Sequence, residues 1–425
     1  MKKRISTPRA AVAALSAGIL LGMIGAGQAS AADLGGNCCA DLEERIAELE
    51  ATTARKGNRK VSLTVTGWVA EQVIHWDDGF ESNTYIAGLG TNYASNVQFT
   101  GSAQITKGWS AGYVLYLEAI DNNLYSLSQT NPRSADANTV NTKMSYWFIK
   151  SDQLGRVSVG KQNPVGDNAA FNSDLSGTTA AAYWVAYDVW NFQVKGPNGL
   201  NAATPGGGIT WGGGAGASGG QCHGWGGGPA DCVASPRMEV RYDSPTIAGF
   251  QVAASWGEDD EWGVTGYYTQ TWGDFSVRGV ASYSQTTDEG LGAPPGGSLE
   301  YLQLAAYAEH VPTGIWGNFQ YGHMQGTGFE DNDVYYAKAG IKLKLCTLGV
   351  TRPYGEYLHG VDGQFDNAGT FIPGGDITFF GGGVVQDIDA AAMQVWLRYR
   401  HHEMDLPGVP TEDIWTVVGG AFIAF

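Results

Sequence analysis

The side chains that could catalyse a reaction do not form a recognisable catalytic set. A nucleophile, a base and an orienting acid must meet in a triad, yet the seven histidines fall near predicted strand ends or in loops, without a Gly-x-Ser-x-Gly elbow. His401 and His402 are adjacent, and neighbours on a strand point to opposite faces, which disfavours a shared metal. Gly160-Lys161-Gln162 lacks the other glycine and the Ser/Thr of a phosphate-binding loop. We therefore predict that the protein is not an enzyme.

The five cysteines are typical of an oxidising compartment. Cys222 and Cys232 bracket a glycine-rich stretch, and we predict a disulfide between them that closes a loop. A metal site there is disfavoured because only His223 lies nearby. Cys38 and Cys39 are adjacent, a poor geometry for bonding each other. They are either free or cross-linked to neighbouring chains.

Two further groups of residues leave alternatives open. Three acidic runs offer oxygen ligands that suit Ca²⁺ or Mg²⁺, but none has EF-hand spacing, so solvated charge is the favoured interpretation and no cofactor is predicted. These runs are Asp77-Asp78, Glu258 to Glu261, and Glu330 to Asp333. Four aromatic residues could line a path for sugars, although such residues more often pack a loop against a wall. They are Tyr183, Trp184, Tyr187 and Trp190.

Basic residues recur at every second or fourth position in three segments. Arg237 and Arg241 fall on the face opposite Met238 and Val240, and the same alternation separates the other basic residues from their apolar neighbours. These are Lys338, Lys342, Lys344, Arg398 and Arg400. A basic side chain in mid-bilayer lipid costs about 2–4 kcal/mol. If these segments cross a membrane as strands, their basic faces must line a water-filled interior.

The composition narrows the possible classes of protein. The chain has 425 residues, of which 16% are charged and 62 are glycine, whereas an average soluble domain has about 25% charged residues. The net charge is −17, and a nucleic-acid-binding protein would carry a basic face. We therefore exclude a nucleic-acid partner and keep one large β-barrel as a possibility.

The N-terminal region predicts export. Lys2, Lys3 and Arg4 precede an apolar stretch at 10–24 and an Ala-Ser-Ala site at 29–31, the pattern of a signal peptide over 1–31. No later stretch reaches 18 consecutive apolar residues, so any membrane crossing must use strands.

Residues 32–60 are predicted to be a short helical segment and linker. Leu42, Ile46 and Leu49 form a heptad seam within 40–53, too short to be stable without partners. A frayed surface helix or linker is the alternative.

From Val61 to Phe425 the apolar pattern has a period of two, which predicts an all-β domain over 61–425. Short turns alternate with mostly longer, polar connections, one of which spans 163–235. Seven hairpins plus the unpaired strands at 61–76 and 413–425 predict a 16-stranded antiparallel transmembrane barrel with both ends on the short-turn side. The last strand ends on the aromatic Phe425, which we interpret as a signal read by an outer-membrane assembly machine.

Several segments resemble the bacterial outer-membrane porins, specifically the alphaproteobacterial, rhizobial-type subfamily. The resemblance covers 38–425 and includes NCCADLEERIAELEATTARKGNRKVSLTVTGWV, MSYWFIKSDQLGRVSVGKQ, VRYDSPTIAGFQVAASWGEDD and VVQDIDAAAM. It implies a homotrimer of 16-stranded barrels in the Gram-negative outer membrane, in contact with lipid and lipopolysaccharide. Each barrel would be a pore for passive diffusion of small hydrophilic solutes. A substrate-specific channel, for example for sugars, and a barrel-anchored adhesin or cell-wall tether are the alternatives.

The resemblance also implies that the third loop, 163–235, folds inward and narrows the lumen. Lys161 matches the position of a basic wall residue, although it shares a phase with Val157 and Val159, so that placement requires a bulge. We expect Asp167 and Asp174 of this loop to face the basic wall formed by Arg237, Arg241, Lys338, Lys342 and Arg398. Opposed rows of charge set ion preference. Without residues 1–31 the chain has 21 basic and 42 acidic side chains, a net charge of −21. From this charge we expect mild cation selectivity through accumulation of cations at the mouth, unless the basic walls cancel it. The alternative is that the two carboxylates cap or tether the loop.

Overall fold

The computed structural model describes residues 60–90, 93–120, 124–133, 139–182, 188–212, 236–257, 260–287, 296–327 and 331–425. Within these ranges, sixteen antiparallel strands form a closed barrel with very little helix. No helix in these ranges is long and apolar enough to cross a membrane. The predicted signal peptide and N-terminal helix lie outside the described residues.

The strands follow one another around the barrel in chain order. They are β1 (Thr64–Asp77), β2 (Ser82–Gly88 and Ser95–Thr106), β3 (Trp109–Ile120), β4 (Thr139–Ser151), β5 (Gly155–Gln162), β6 (Arg237–Asp243), β7 (Phe250–Gly257), β8 (Glu261–Trp272), β9 (Phe275–Thr286), β10 (Leu299–His310), β11 (Ile315–Gly326), β12 (Asn332–Ile341 and Leu343–Cys346), β13 (Gly349–Val361), β14 (Asp376–Ile388), β15 (Met393–Asp405) and β16 (Ile414–Ala424).

The connections carry short elements of their own. One α-helical turn, α1, covers Thr179–Ala182, and 3₁₀ turns cover Leu124–Ser126, Phe171–Ser173 and Asp389–Ala391. Two small hairpins pair Ala203–Thr204 with Gly207–Gly208 and Gln364–Phe365 with Phe371–Ile372.

Alternation along each strand separates the two faces of the barrel wall. On β6, Met238 and Val240 are exposed on the outer face, whereas Arg237 and Glu239 are buried on the inner face. This is the apolar-out, polar-in pattern of a barrel in lipid. The two-residue period of the sequence thus fixes which side chains enter the barrel.

The barrel closes between its first and last strands. β1 pairs with β16 from Trp68 opposite Ala424 to Asp77 opposite Trp415. Phe425 adds two backbone hydrogen bonds to Gly67, both of 3.0 Å. β1 therefore begins, and β16 ends, at the end of the barrel that carries the short turns, and the predicted count of sixteen strands is confirmed.

The prediction of a long connection at 77–94 is wrong for residues 77–88. The chain turns within four residues because the Asp78 carboxylate accepts hydrogen bonds from the backbone N–H groups of Phe80 and Glu81. Ser82–Gly88 then pairs back along β1. Only 89–94 interrupts β2, so the long loop becomes a tight turn and a break within a strand.

A second irregularity lies where β3 meets β4. The register shifts between Tyr116 and Leu117, whose partners are Met144 and Thr142, so Lys143 is an extra residue. Its ammonium lies 3.3 Å from the Glu118 carboxylate, and both side chains are buried. A β-bulge changes the direction of a side chain, and here it turns Lys143 toward the inside of the barrel.

Candidate pore constriction

The connection after β5 turns into the barrel and follows its inner wall. The Ser255 hydroxyl of β7 accepts a hydrogen bond from the Val165 amide at 3.1 Å, and the Thr265 hydroxyl of β8 donates to the Val165 carbonyl at 2.7 Å. On β10, the Gln303 amide donates to the Gly166 carbonyl at 2.7 Å. Polar side chains that alternation points inward therefore satisfy the backbone of this segment.

The segment continues past β11 to β12, where a buried ion pair holds it. Lys338 Nζ lies 2.5 Å from Asp174 Oδ2 and 3.0 Å from the Thr178 hydroxyl. Burial raises the pKa of the Asp174 carboxyl, but the Lys338 charge and hydrogen bonds from Lys338 and Ser176 outweigh it and lower the pKa overall. Asp174 is therefore an ionised anchor.

The turn before α1 passes close to the wall. Gly177 has a φ of +78°, and a Cβ there would lie 2.8 Å from Arg352 Nε. Glycine meets both requirements because it has no side chain. The Gly177 carbonyl also accepts a hydrogen bond from the Gln394 amide of β15 at 3.4 Å.

A second buried charge cluster lies where the connection reaches β15. Asp188 Oδ1 lies 2.5 Å from Arg398 Nη2, and its other oxygen lies 3.2 Å from Arg400 Nη1. Glu356 on β13 balances the second guanidinium at 3.1 Å and accepts a 2.7 Å hydrogen bond from the Tyr336 hydroxyl. Two basic and two acidic groups thus neutralise one another away from water.

Beyond Asp188 the connection packs mainly through apolar contacts. Phe192 is fully buried, and its ring meets Trp76 of β1 edge-on at 5.1 Å. Ile209 and Trp211 join the same core. At the outer end, Lys195 lies 3.3 Å from Glu81. This part fills the barrel interior beside β1, the first segment of β2 and β12–β16.

Five of the predicted basic wall residues each have a carboxylate partner, and one of these partners is Asp174 of the connection. Lys338 pairs with Asp174 and Arg398 with Asp188, as described above, and the other three have carboxylate partners on the wall itself. Arg237 pairs with Glu261, Arg241 with Asp243 at 2.8 Å, and Lys342 with Glu309 at 2.6 Å. These five cations therefore form short ion pairs, and the transverse field across the lumen stays a prediction.

Asp167 is buried within the connection, and Lys161 keeps the phase of its strand. Asp167 accepts a hydrogen bond from the neighbouring Asn168 amide, and its approach to the basic wall stays a prediction. β5 pairs in unbroken register with both neighbours, so Lys161 keeps the phase of Val157 and Val159. The bulge that would turn Lys161 inward is absent from β5, and its ammonium donates to the Thr142 carbonyl at 2.9 Å.

Several predicted features fall outside the described residues. They are the Cys222–Cys232 disulfide, Cys38 and Cys39, and the aromatic residues at 183, 184 and 187. Cys346 is described, and it is an exposed free thiol at a short turn. Phe425 is exposed and lies at the edge where the barrel closes.

Sequence reasoning missed Asp188, Glu356 and the inward Lys143. Asp188 is a single acidic residue within an aromatic stretch, so its own neighbourhood does not mark it. The sequence could have indicated it only through Arg398 and Arg400, which point inward and require buried counter-charges. Lys143 carried no signal, because strict alternation cannot place a residue that enters through a bulge.

Comparison with known proteins is consistent with this architecture. The family model for Gram-negative porins matches residues 11–421. Among solved structures, the chain is similar to OmpF of Salmonella typhi in complex with daunomycin, at 13% identity and a TM-score of 0.55, covering 87% of this chain and 99% of that one.

It is also similar to the trimer form of OmpT, an outer membrane protein of Vibrio cholerae, at 14% identity and a TM-score of 0.51, with 86% and 99% of the two chains covered. The loop L8 deletion mutant of OmpT has 13% identity to the chain and a TM-score of 0.52, with 86% of this chain and 100% of that one covered. No curated protein sequence matches the chain. Structural similarity at such identities supports the fold alone.

Proposed function

The chain belongs to the Gram-negative porin family, and from this premise we propose that it is a general diffusion porin whose passage runs along the β2–β5 side of the barrel. The family and the closed barrel make it an outer-membrane channel for passive diffusion. The position of the passage is our inference. It rests on the part of the inner wall that the connection after β5 contacts, which runs from β7 through β16 to β1 and the first segment of β2.

One observation carries the position of the passage. Inward residues at the short-turn end of β2 and β4 are exposed, among them Ser102, Gln104 and Lys150. The inward residues of β10 and β15 beneath the connection are buried, including Gln303 and Arg398. Water and small hydrophilic solutes would pass between the connection and the exposed wall.

The charge pattern supports weak ion selectivity. The wall cations named above have carboxylate partners within the protein, and a paired charge projects little field into the lumen. We propose that Asp174 tethers the connection to the barrel wall. Tethering was the alternative to a role in setting the charge across the lumen. The mild cation preference predicted from the net charge would then arise at the mouth of the pore.

We further propose that the protein is exported through its N-terminal signal peptide and assembles as a homotrimer. One structurally similar outer membrane protein is named as a trimer form. The N-terminal helix predicted at 40–53 would reinforce the trimer from the periplasmic side, with lipopolysaccharide around the outer rim. A chain lacking 32–57 that assembles and melts like the full chain would show that this segment has no assembly role.

A matched pair of substitutions tests the path of the passage. Thr100 and Phe99 are neighbours on β2, and their cross-strand partners are Val114 and Leu115. Thr100 points inward and Phe99 outward, so we expect Thr100→Trp to lower single-channel conductance and Phe99→Trp to leave it unchanged. Equal conductance in both variants would place the passage elsewhere.

Solute uptake separates the general channel from a substrate-specific one. We expect liposomes that contain the protein to admit sugars at rates that fall smoothly with molecular size, without saturation. Saturable block of the ion current by one sugar would instead identify a binding site and overturn the general-diffusion assignment.

A further inference from the structure

The outer face of the barrel carries a histidine and two carboxylates that converge on one point. His401 and Glu403 share the outward face of β15, and Asp413 comes directly before β16. His401 Nε2 lies 3.3 Å from Asp413 Oδ2 and 3.5 Å from Glu403 Oε1. The three candidate ligand atoms all lie within 4.8 Å of one another.

Hydrogen bonding alone accounts poorly for this arrangement. The imidazole Nε2 carries at most one hydrogen, yet two carboxylates approach it, so a single N–H would have to be shared between them. The backbone ladder pairs His402 with Ile414, so Glu403 and Asp413 occupy the next positions on adjacent strands. Like charges across such a pair are destabilising. A cation between them removes that repulsion.

The two separations between the imidazole nitrogen and the carboxylate oxygens match those in a metal site. Zn²⁺ binds imidazole nitrogen and carboxylate oxygen at about 2.0–2.2 Å, which in a tetrahedron places neighbouring ligand atoms about 3.3–3.5 Å apart. The two nitrogen-to-oxygen distances, 3.3 and 3.5 Å, fall within that range. One histidine with carboxylates suits zinc better than a hard ion such as Ca²⁺, which takes oxygen ligands only.

The surroundings hold the imidazole in place. Its other nitrogen, Nδ1, lies 3.5 Å from the Tyr399 hydroxyl, and its ring packs on Phe380 with centroids 5.0 Å apart. A hydrogen-bonding partner on the second nitrogen orients a metal-binding histidine. Glu403 and Asp413 remain partly exposed to solvent, so a fourth position is open to water.

We propose that His401, Glu403 and Asp413 bind a divalent transition metal, with zinc as the best-matched ion, at the outer rim of the barrel. The ion would link β15 to the chain entering β16. The neighbouring Glu412 amide donates to the Lys195 carbonyl at 2.7 Å. The site would therefore also steady the contact between the last outer connection and the inward one.

A second histidine cluster on the same rim supplies the control. His323 also lies near two carboxylates, but Asp333 is 2.9 Å from Nδ1 whereas Asp331 is 4.0 Å from Nε2. The two acids thus address different ring nitrogens and cannot share one ion with the ring. His323→Ala removes a rim histidine with acidic neighbours and leaves the proposed site intact.

The test is zinc binding to the purified full-length mature protein in detergent after removal of metals by EDTA. We expect isothermal titration to show one zinc equivalent in the wild type that is lost in both His401→Ala and Asp413→Asn and kept in His323→Ala. Cysteines are common to all four proteins, so the differences report this site. Zinc should also raise the melting temperature of the wild type and of His323→Ala only.

Two outcomes would overturn the proposal. One is an equal number of zinc equivalents in the wild type and in His401→Ala. The other is loss of the same equivalent in His323→Ala, which would indicate diffuse binding along the rim. Single-channel conductance of each variant checks that the barrel is intact, because no substituted side chain lies in the lumen.

Discussion

The inward connection is held to the barrel in two different ways along its length. From Val165 to Ala182, polar side chains of the wall satisfy its backbone and Lys338 pairs with Asp174. From Val189 to Trp211, buried apolar side chains pack against β1 and its neighbours. Asp188 and its two arginines lie at the boundary.

The kind of contact determines how each part of the connection responds to a substitution. A directional contact fails when one partner is removed, since the other is left buried without its counterpart. Apolar packing is distributed over many atoms and loses only the contacts that are deleted. The first part should therefore be sensitive to single polar substitutions and the second part tolerant of conservative ones.

The largest effect is expected at the boundary. Asp188→Ala would leave Arg398 and Arg400 buried with Glu356 alone, and removing one member of a buried charge cluster costs about 3–5 kcal/mol. Amide hydrogen exchange of 165–182 should accelerate accordingly, and single-channel current should become noisier. Glu81→Gln, which breaks the exposed pair with Lys195, is the control and should change neither. If exchange is unchanged in Asp188→Ala, the connection is held independently of this cluster.

A smaller effect, dependent on pH, is expected from Asp174→Asn. Loss of the charged hydrogen bond to Lys338 should cost about 1.5–3 kcal/mol at neutral pH. Because the pKa of Asp174 is below its usual 3.8, its contribution is present above that value and is lost as pH falls through the lower folded-state pKa. The wild type should thus release this part of the connection only in strong acid.

Hydrogen exchange of 170–182 as a function of pH checks this prediction. Asp174→Asn should show raised exchange at neutral pH and should lack the acid-dependent step. The same acid step in both proteins would assign it to another carboxylate.

In the apolar part, Phe192→Leu should cost only about 1 kcal/mol, because most of the buried volume is kept and neighbours relax. Exchange of 189–211 should rise slightly while that of 165–182 stays constant. A large rise in both parts would show that the two parts unfold together, which would remove the distinction between them.

The smallest effect is expected from Asp167→Asn. This carboxylate is buried and accepts a hydrogen bond from the Asn168 amide, so the zero-current potential in a salt gradient should not move. Lys150→Glu, on the exposed inner wall, should shift that potential toward cation preference. A clear shift in Asp167→Asn would place Asp167 on the ion path.

Strand number and facing were predictable because they follow from local alternation. Met238 and Val240 face outward and Arg237 faces inward, because successive residues on a strand point to opposite faces. The same rule failed where the backbone departs from it. The bulge at Lys143 and the break at 89–94 shift register without a clear compositional mark.

The interior was less predictable than the wall. The connection after β5 has no period, so its path depends on partners that are far away in sequence, such as Gln303 for Gly166. Inward basic residues were identified by alternation, but their partners were not. Asp188 could be assigned to Arg398 and Arg400 only in three dimensions.

The closure between β1 and β16 has a consequence for how the molecule is made. Hairpins such as β8–β9 join residues close in sequence and can form early, whereas the β1–β16 ladder joins the two ends of the barrel sequence. Contacts between residues so far apart in the sequence form slowly. Until they form, the sheet has two open edges that invite aggregation. A nascent chain therefore stays vulnerable until its last eleven-residue strand, Ile414–Ala424, is in place.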